Sequence, residues 1–162
     1  MLIVLEGCDG SGKTTLANKL SAILNAEIIH CTTDTPNTLW FFRDILEMSK
    51  TKNIIADRFC YGQFVYQSPE ERQLNEYDLY HLELTMMNIG ARVIYVECEP
   101  EIIEERLTRR SEKPMKPINE IIRSYAKVFS NSILPILVAD TSKPELGLLP
   151  MWKEGVKKRY GC

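Results

Sequence analysis

The sequence predicts a three-layer α/β fold, a five-stranded parallel sheet between layers of helix. Three observations carry that prediction. The chain opens on a short unbroken apolar run, Leu2–Glu6, the pattern of a strand buried on both faces. Similar short runs recur, each followed by a stretch with helical spacing, and that alternation lays strands side by side in parallel. The link after the first run, EGCDGSGKTT at residues 6–15, carries three glycines and opens straight into a helical pattern.

The elements follow in order. After the first strand, Lys13–Leu24 reads as a helix, with Leu16, Leu20, Ile23 and Leu24 on helical spacing. Glu27–His30 is a second strand, and residues 37–50 form a helix carrying Leu39, Phe42, Ile45 and Leu46. Residues 53–56 make a third strand, followed by a helical stretch from about Tyr61. An amphipathic segment over 70–89 is stopped by Gly90, and Arg92–Glu97 is a fourth strand. A helix over 101–110 starts just after Pro100, since proline suits the first turn. The link SEKPMKP leads to a helix over 118–130, a fifth strand over 135–139, and one more helix near Trp152. There is no repeat, low-complexity tract or linker, so residues 1–162 read as a single domain. Ligands in such sheets bind beyond the carboxyl ends of the strands, where the glycine-rich link lies.

At 162 residues the chain is long enough to bury a core without staples. Its 20 Lys+Arg against 22 Asp+Glu leave a net charge of −2, which argues against gripping long nucleic acid. A small anionic ligand needs only a local positive pocket, and charge does not exclude one. The cysteines, Cys8, Cys31, Cys60, Cys98 and Cys162, are odd in number, widely spaced and without a C-x-x-C pair. They imply neither a disulfide framework nor a zinc site, and reduced thiols fit a cytoplasmic chain. A first strand starting at residue 2 implies no signal peptide, and no apolar run approaches membrane-spanning length. His30 and His81 lack metal-ligand spacing and are expected to be structural. Cys8 sits beside a helix N-terminus, which can lower a thiol pKa, but reads as a small loop residue.

GCDGSGKT, residues 7–14, fits the phosphate-binding pattern G-x-x-x-x-G-K-[ST]. Gly7, Gly10 and Gly12 allow backbone torsions and close approach that side chains would block. The exposed amides, with Ser11 and Thr15 among them, make an anion cradle at the positive end of a helix. Lys13 has the reach for the β- and γ-phosphates of a nucleotide, and the Thr14 hydroxyl is a ligand for Mg²⁺. Asp9 is out of place beside a polyphosphate unless it faces a hydroxyl donor; it is otherwise a turn residue. In IIADRFCYGQFVYQ, residues 54–67, Asp57 ends a strand where a carboxylate holds metal-bound water or accepts a proton. Arg58 beside it offers a planar donor fork for phosphate, and the alternative for the pair is a structural ion pair.

Together these stretches resemble the thymidylate kinase family of P-loop nucleotide kinases. The family's EG-x-D-x-x-GK-[ST]-T loop is matched by Glu6 to Thr15, and its DR-[YFH] motif with a following YQ pair by Asp57, Arg58, Phe59, Tyr66 and Gln67. VIYVECEPEIIEERLTRR, residues 93–110, resembles the family's strand and the helix leading to an arginine-bearing lid, here at about 107–117. The resemblance implies a P-loop kinase fold with a short lid, using ATP and Mg²⁺, the metal held at Thr14 and Asp57. It implies that Asp9 binds a sugar 3′-hydroxyl, Arg58 holds the acceptor's 5′-phosphate, and Asp57 assists at the metal or the attacking oxygen. Transition-state charge would be met from Arg106, Arg109, Arg110 or Lys113, with Arg106 on the nucleotide side. The alternative reading of these cations is a solvated helix end favoured by the dipole.

The sequence departs from the family in three places. HCTTDTPNT keeps Pro36 but lacks the usual arginine, so one grip on an acceptor phosphate is missing. The segment between Pro36 and the DRF strand is short, and within it Phe42 and Arg43 are the candidates for holding a base. Of Trp40, Phe41 and Phe42, at least two are expected in the core. Gly62 and Gln63 replace small hydroxyl residues. The expected activity is transfer of the γ-phosphoryl of ATP to a deoxynucleoside monophosphate, thymidylate-like or a modified pyrimidine. Three alternatives stay open: a deoxynucleoside kinase acting on the 5′-hydroxyl, a kinase of a hydroxylated modified base, and a nucleotide-gated switch or ATPase. A homodimer through residues 77–89 is a further expectation, as is packing of that helix on its own sheet.

Overall fold

A computed structural model of the protein describes residues 1–32, 35–36 and 38–142, with the backbone of 148–151. Five strands run parallel: β1 (Leu2–Glu6), β2 (Glu27–His30), β3 (Ile54–Asp57), β4 (Arg92–Glu97) and β5 (Ile136–Asp140). A sixth, β6 (Leu148–Met151), pairs antiparallel with β5, giving the order β2-β3-β1-β4-β5-β6. The link 141–147 is too short for the crossover of about a dozen residues that a parallel partner needs, so the chain returns antiparallel. The helix expected near Trp152 lies outside the described residues. Cys162 does too.

The helices are α1 (Lys13–Leu24), α2 (Leu39–Met48), α3 (Tyr61–Tyr66), α4 (Glu76–Asn88), α5 (Pro100–Arg109) and α6 (Ile118–Asn131). The amphipathic segment over 70–89 is helical only from Glu76, because Asn75 starts it with a capping box. Asn75 Oδ1 accepts from the Tyr77 and Asp78 amides, and the Asn75 amide donates to Asp78 Oδ2. α2 likewise starts two residues later than its apolar pattern suggests, at the Thr38 cap, whose Oγ1 accepts from the Phe41 amide at 3.2 Å.

Successive residues of β1 point to opposite faces, and both faces are covered. Ile3 and Leu5 pack with Leu16 and Ala17 of α1, while Leu2 and Val4 join Phe42, Leu46, Met86, Ile103 and Tyr125 from α2, α4, α5 and α6. A buried carboxylate, Glu83 of α4, bolts the second face together. It accepts from the Tyr61 and Ser132 hydroxyls and from the Ile133 amide at 3.0 Å.

A second buried carboxylate closes β1. Glu6 is wholly buried; Oε1 accepts from the Phe59 amide at 2.8 Å and Oε2 from the Tyr125 hydroxyl at 3.0 Å. It thereby joins the ends of β1 and β3 to α6. Burial raises its pKa from 4.5 to about 7, against the lowering effects of the nearby Arg58 charge and of the two hydrogen bonds. A carboxyl whose folded pKa lies above its unfolded value keeps a proton that the unfolded chain releases. The resulting stabilisation is complete below the unfolded pKa and is lost as pH rises through the folded one. Glu6→Gln, which keeps an acceptor for Phe59, is expected to remove that dependence. Between about pH 5 and about pH 7.5, the wild type should lose on the order of 1–3 kcal/mol relative to the variant in urea unfolding. Parallel profiles for the two proteins would contradict the assignment.

Candidate active site

β1 lies between β3 and β4, so the loop at residues 7–12 leaves the sheet where the strand order reverses, the position at which open α/β sheets bind ligands. The loop is shaped by contact as well as torsion. At Gly7 (φ 149°) a Cβ would stand 2.5 Å from the Val96 carbonyl oxygen; at Gly10 (φ 78°) one would press on Ile103 and Leu107 of α5. Lys13 is 6% exposed, and its Nζ donates to the Gly7 and Cys8 carbonyls at 2.9 and 2.7 Å. Burial, with the Arg58 charge behind it, lowers its pKa to about 8. Ser11 is buried with its Oγ unpartnered among the described residues, and its carbonyl accepts from the Thr141 hydroxyl.

Two cavities meet beside this loop. The first, about 150 Å³, is floored by Gly12, Lys13, Thr14 and Thr15, walled by His30 and Asp57, and rimmed by Arg110. The second, about 310 Å³, is walled by Phe59, Gly62, Gln63, Tyr66 and Gln67, with Met115 at its edge. Asp9, Cys31, Thr32 and Arg58 line both.

Arg58 is the joint between them. It follows β3 with a left-handed φ of 71°, unusual for a side-chain-bearing residue, and is pinned from several sides. Its Nη2 pairs with Asp9 Oδ1, and its Nη1 donates to the Gly7 carbonyl and the Tyr125 hydroxyl, both at 3.3 Å. Its Cζ lies 5.0 Å from the centre of the Tyr66 ring, a cation–π contact. Asp57 faces the first cavity: Thr14 Oγ1 donates to its Oδ2 at 3.1 Å, and His30 Nδ1 lies 3.1 Å from the same oxygen.

The helix-end arginines diverge. Arg106 holds the loop from behind, donating to the Gly10 carbonyl at 3.1 Å and to the Thr141 carbonyl at 3.1 Å. Arg110 lines the first cavity. Arg109 is turned to solvent and paired with Glu105 one turn back, because the helix places i and i+4 on one face. As base-holding residues, Phe42 and Arg43 are corrected. Phe42 is fully buried, ring against ring with Phe41 and Phe59, and Arg43 lies over Trp40; neither lines either of these two cavities. Trp40 is the exposed member of its aromatic trio. Cys8 is buried, and burial pushes its thiol up to about 11, the opposite of an activated cysteine.

Two residues of the site lie outside the motifs, and a third lies inside one without its role being legible there. His30 is about half exposed in the first cavity rather than a purely structural histidine. Its signal was its place at the carboxyl end of a strand, since β2 and β3 pair in the register that sets His30 against Asp57. Tyr125 reaches the loop from α6, more than a hundred residues away in the chain, and no local pattern marks it. Glu6 belongs to the quoted loop motif, but its burial is a tertiary property.

No protein-family model matches the chain, and no curated protein matches it in sequence. Solved structures do. The YorR protein of Bacillus subtilis, in complex with phosphorylated GDP, superposes with a TM-score of 0.76 at 27% identity, covering 98% of this chain and 92% of that one. Deoxyadenosine kinase from M. mycoides with bound dCTP gives a TM-score of 0.55 at 18% identity over 86% of this chain and 90% of that one. Thymidylate kinase from Candida albicans gives 0.52 at 18% identity over 86% and 82%. Likeness at these two lower identities is likeness of fold. The chain has the P-loop fold of the nucleoside and nucleotide kinases.

Proposed function

We propose that the protein transfers the γ-phosphoryl group of ATP, with Mg²⁺, to the 5′-phosphate of a deoxynucleoside monophosphate, thymidylate-like or a modified pyrimidine nucleotide. The observation that carries this reading is the pair of cavities meeting at Asp9 and Arg58, one built from phosphate-binding loop residues and the other from apolar and amide side chains. The nucleotides held by YorR and by the M. mycoides kinase support a nucleotide ligand.

In this reading the loop amides of residues 7–15 and Lys13 hold the donor polyphosphate, whose charge compensates the buried ammonium. Arg106 braces the loop from behind. Thr14 Oγ1 and Asp57 Oδ2 form a pair of hard oxygen donors that fits Mg²⁺, an ion usually held by one or two protein ligands plus substrate phosphates. When bound, the metal neutralises phosphate charge. Asp9 accepts the sugar 3′-hydroxyl, Arg58 orients the acceptor phosphate, and Tyr66 and Gln67 lie on the base side. Arg110, in a short lid over about 107–117 of a single domain, closes on the transferring phosphoryl group. Catalysis is then positioning and electrostatics, with no covalent intermediate. The protein would act in the cytoplasm; among the described residues no helix is long and apolar enough to cross a membrane. The exposed Tyr77, Tyr80 and Met87 of α4 offer a face for a homodimer.

One observation favours a second reading, phosphorylation of a nucleoside 5′-hydroxyl. A hydroxyl acceptor needs a base, and His30 beside Asp57 lies in the first cavity. Release of ADP from ATP and Mg²⁺, screened over nucleosides, monophosphates and short DNA, separates the two. The proposal expects release with monophosphates; release with nucleosides alone would replace it by the second reading.

Lys13→Ala and Arg58→Ala should each lower turnover by at least roughly a hundredfold while circular dichroism and the cooperative melt persist. Near-normal turnover in either refutes the assignment. Asp9→Asn should raise the KM for the acceptor by roughly tenfold, the loss of one charge-assisted hydrogen bond, and leave that for ATP within about twofold. Equal loss on both would remove its sugar role.

A further inference from the structure

Gly62 has no reason in the fold to be glycine. It sits within α3, and its φ is not positive, unlike those of Gly7, Gly10, Gly12 and Gly90. Glycine inside a helix costs about 1 kcal/mol relative to alanine. A Cβ built on it meets nothing within 4 Å, so no packed neighbour forbids a side chain either. What it faces is the second cavity, whose wall it shares with Phe59, Tyr66 and Gln67.

The same wall carries amide side chains of the kind that hydrogen-bond a base edge. Two carboxamides line it, and they differ. Gln63 Oε1 is committed to the fold, accepting from the Gln73 and Leu74 amides at 2.9 and 3.2 Å. Gln67 Oε1 is buried without a hydrogen-bond partner among the described residues, although a buried polar atom normally has one. The Gln67 side chain lines the cavity, and a turn of its carboxamide brings a donor or an acceptor to a base edge there. With Arg58 and Asp9 at the other end of the cavity, phosphate and sugar lie at that end and the base at this one.

We infer that Gly62 sets the size limit of the acceptor base, and that the acceptor is a deoxynucleoside monophosphate whose base exceeds an unsubstituted pyrimidine, its extra atoms occupying the room a side chain at 62 would fill. The inference rests on the reading of the second cavity as the acceptor site. Two chemistries share the required size, a purine and a pyrimidine with a ring substituent beyond hydrogen.

Isothermal calorimetry on the wild type and Gly62→Val tests this with four ligands: dCMP and dUMP as small bases, dGMP and 5-hydroxymethyl-dCMP as large ones. The wild type should bind at least one large-base nucleotide about tenfold more tightly than either small one, and which one it prefers separates purine from substituted pyrimidine. Gly62→Val should lose about tenfold or more on that ligand and change less than about threefold on dCMP and dUMP. Gly62→Ala should melt no lower than the wild type, which guards against a folding explanation. A uniform change across all four ligands in Gly62→Val, or a wild-type preference for the small bases, overturns the role of Gly62. No binding of any of the four, nor of dTMP titrated beside them, overturns the acceptor reading itself.

Discussion

Arg58 brings a permanent charge to the wall between two cavities, and its surroundings are arranged to keep it there. It stands just past the end of β3 in a left-handed conformation, held by Asp9, the Gly7 carbonyl, the Tyr125 hydroxyl and the Tyr66 ring. The Asp9 pair is not what stabilises the fold: its carboxylate is about half exposed, and such pairs contribute roughly 1 kcal/mol or less. Its effect is geometric. With the Gly7 and Tyr125 contacts it fixes two nitrogens of the guanidinium and engages one oxygen of the carboxylate, and in the proposed reading the pair defines where an acceptor's phosphate and hydroxyl are received.

The loop next to it is built on the same logic of charge held ahead of its ligand. Lys13 is buried on two backbone carbonyls, with its pKa drawn down by burial, while Glu6 beneath the loop is drawn up by burial. Both carry an unfavourable cost of desolvation in the free protein, and for the ammonium an anionic ligand is the natural relief. Tyr125 couples the two regions, since its hydroxyl lies within hydrogen-bond distance of Glu6, the Gly7 carbonyl and Arg58. Helix α6 follows the 110–117 segment directly, so Tyr125 ties the helix after that segment to the loop, as Arg106 ties the helix before it.

Much of this was legible in the sequence because it is local. The apolar runs mark β1, β2 and β4 with their observed bounds. β1 and the middle of β4 are covered on both faces and apolar almost throughout, while β2, at the end of the strand order, keeps an apolar pair, Ile28 and Ile29, between exposed Glu27 and His30. The glycine loop is legible for the same reason: only glycine tolerates the Val96 carbonyl at Gly7. What sequence alone did not reveal depends on packing between distant segments. Phe42 and Arg43 differ little as motif letters, yet one is sealed in the core and the other lies on the surface. Arg109 and Arg110 are neighbours, but a helical turn sends one to Glu105 and the other to the cavity. β6 was missed because its pairing follows from the short return after β5, which leaves no periodic trace.

The central claim is that two nucleotides sit end to end, with their phosphates meeting at Arg58 and Lys13. The most direct measurement is the affinity of a bisubstrate analogue, adenosine joined through a polyphosphate bridge to a deoxynucleoside, against ATP and the deoxynucleoside monophosphate separately. The account predicts that the joined molecule binds at least a hundredfold more tightly than either half, because the second site is engaged at an effective concentration of roughly millimolar or above. An analogue that binds no more tightly than ATP alone, with the monophosphate still free to bind beside it, would contradict the account.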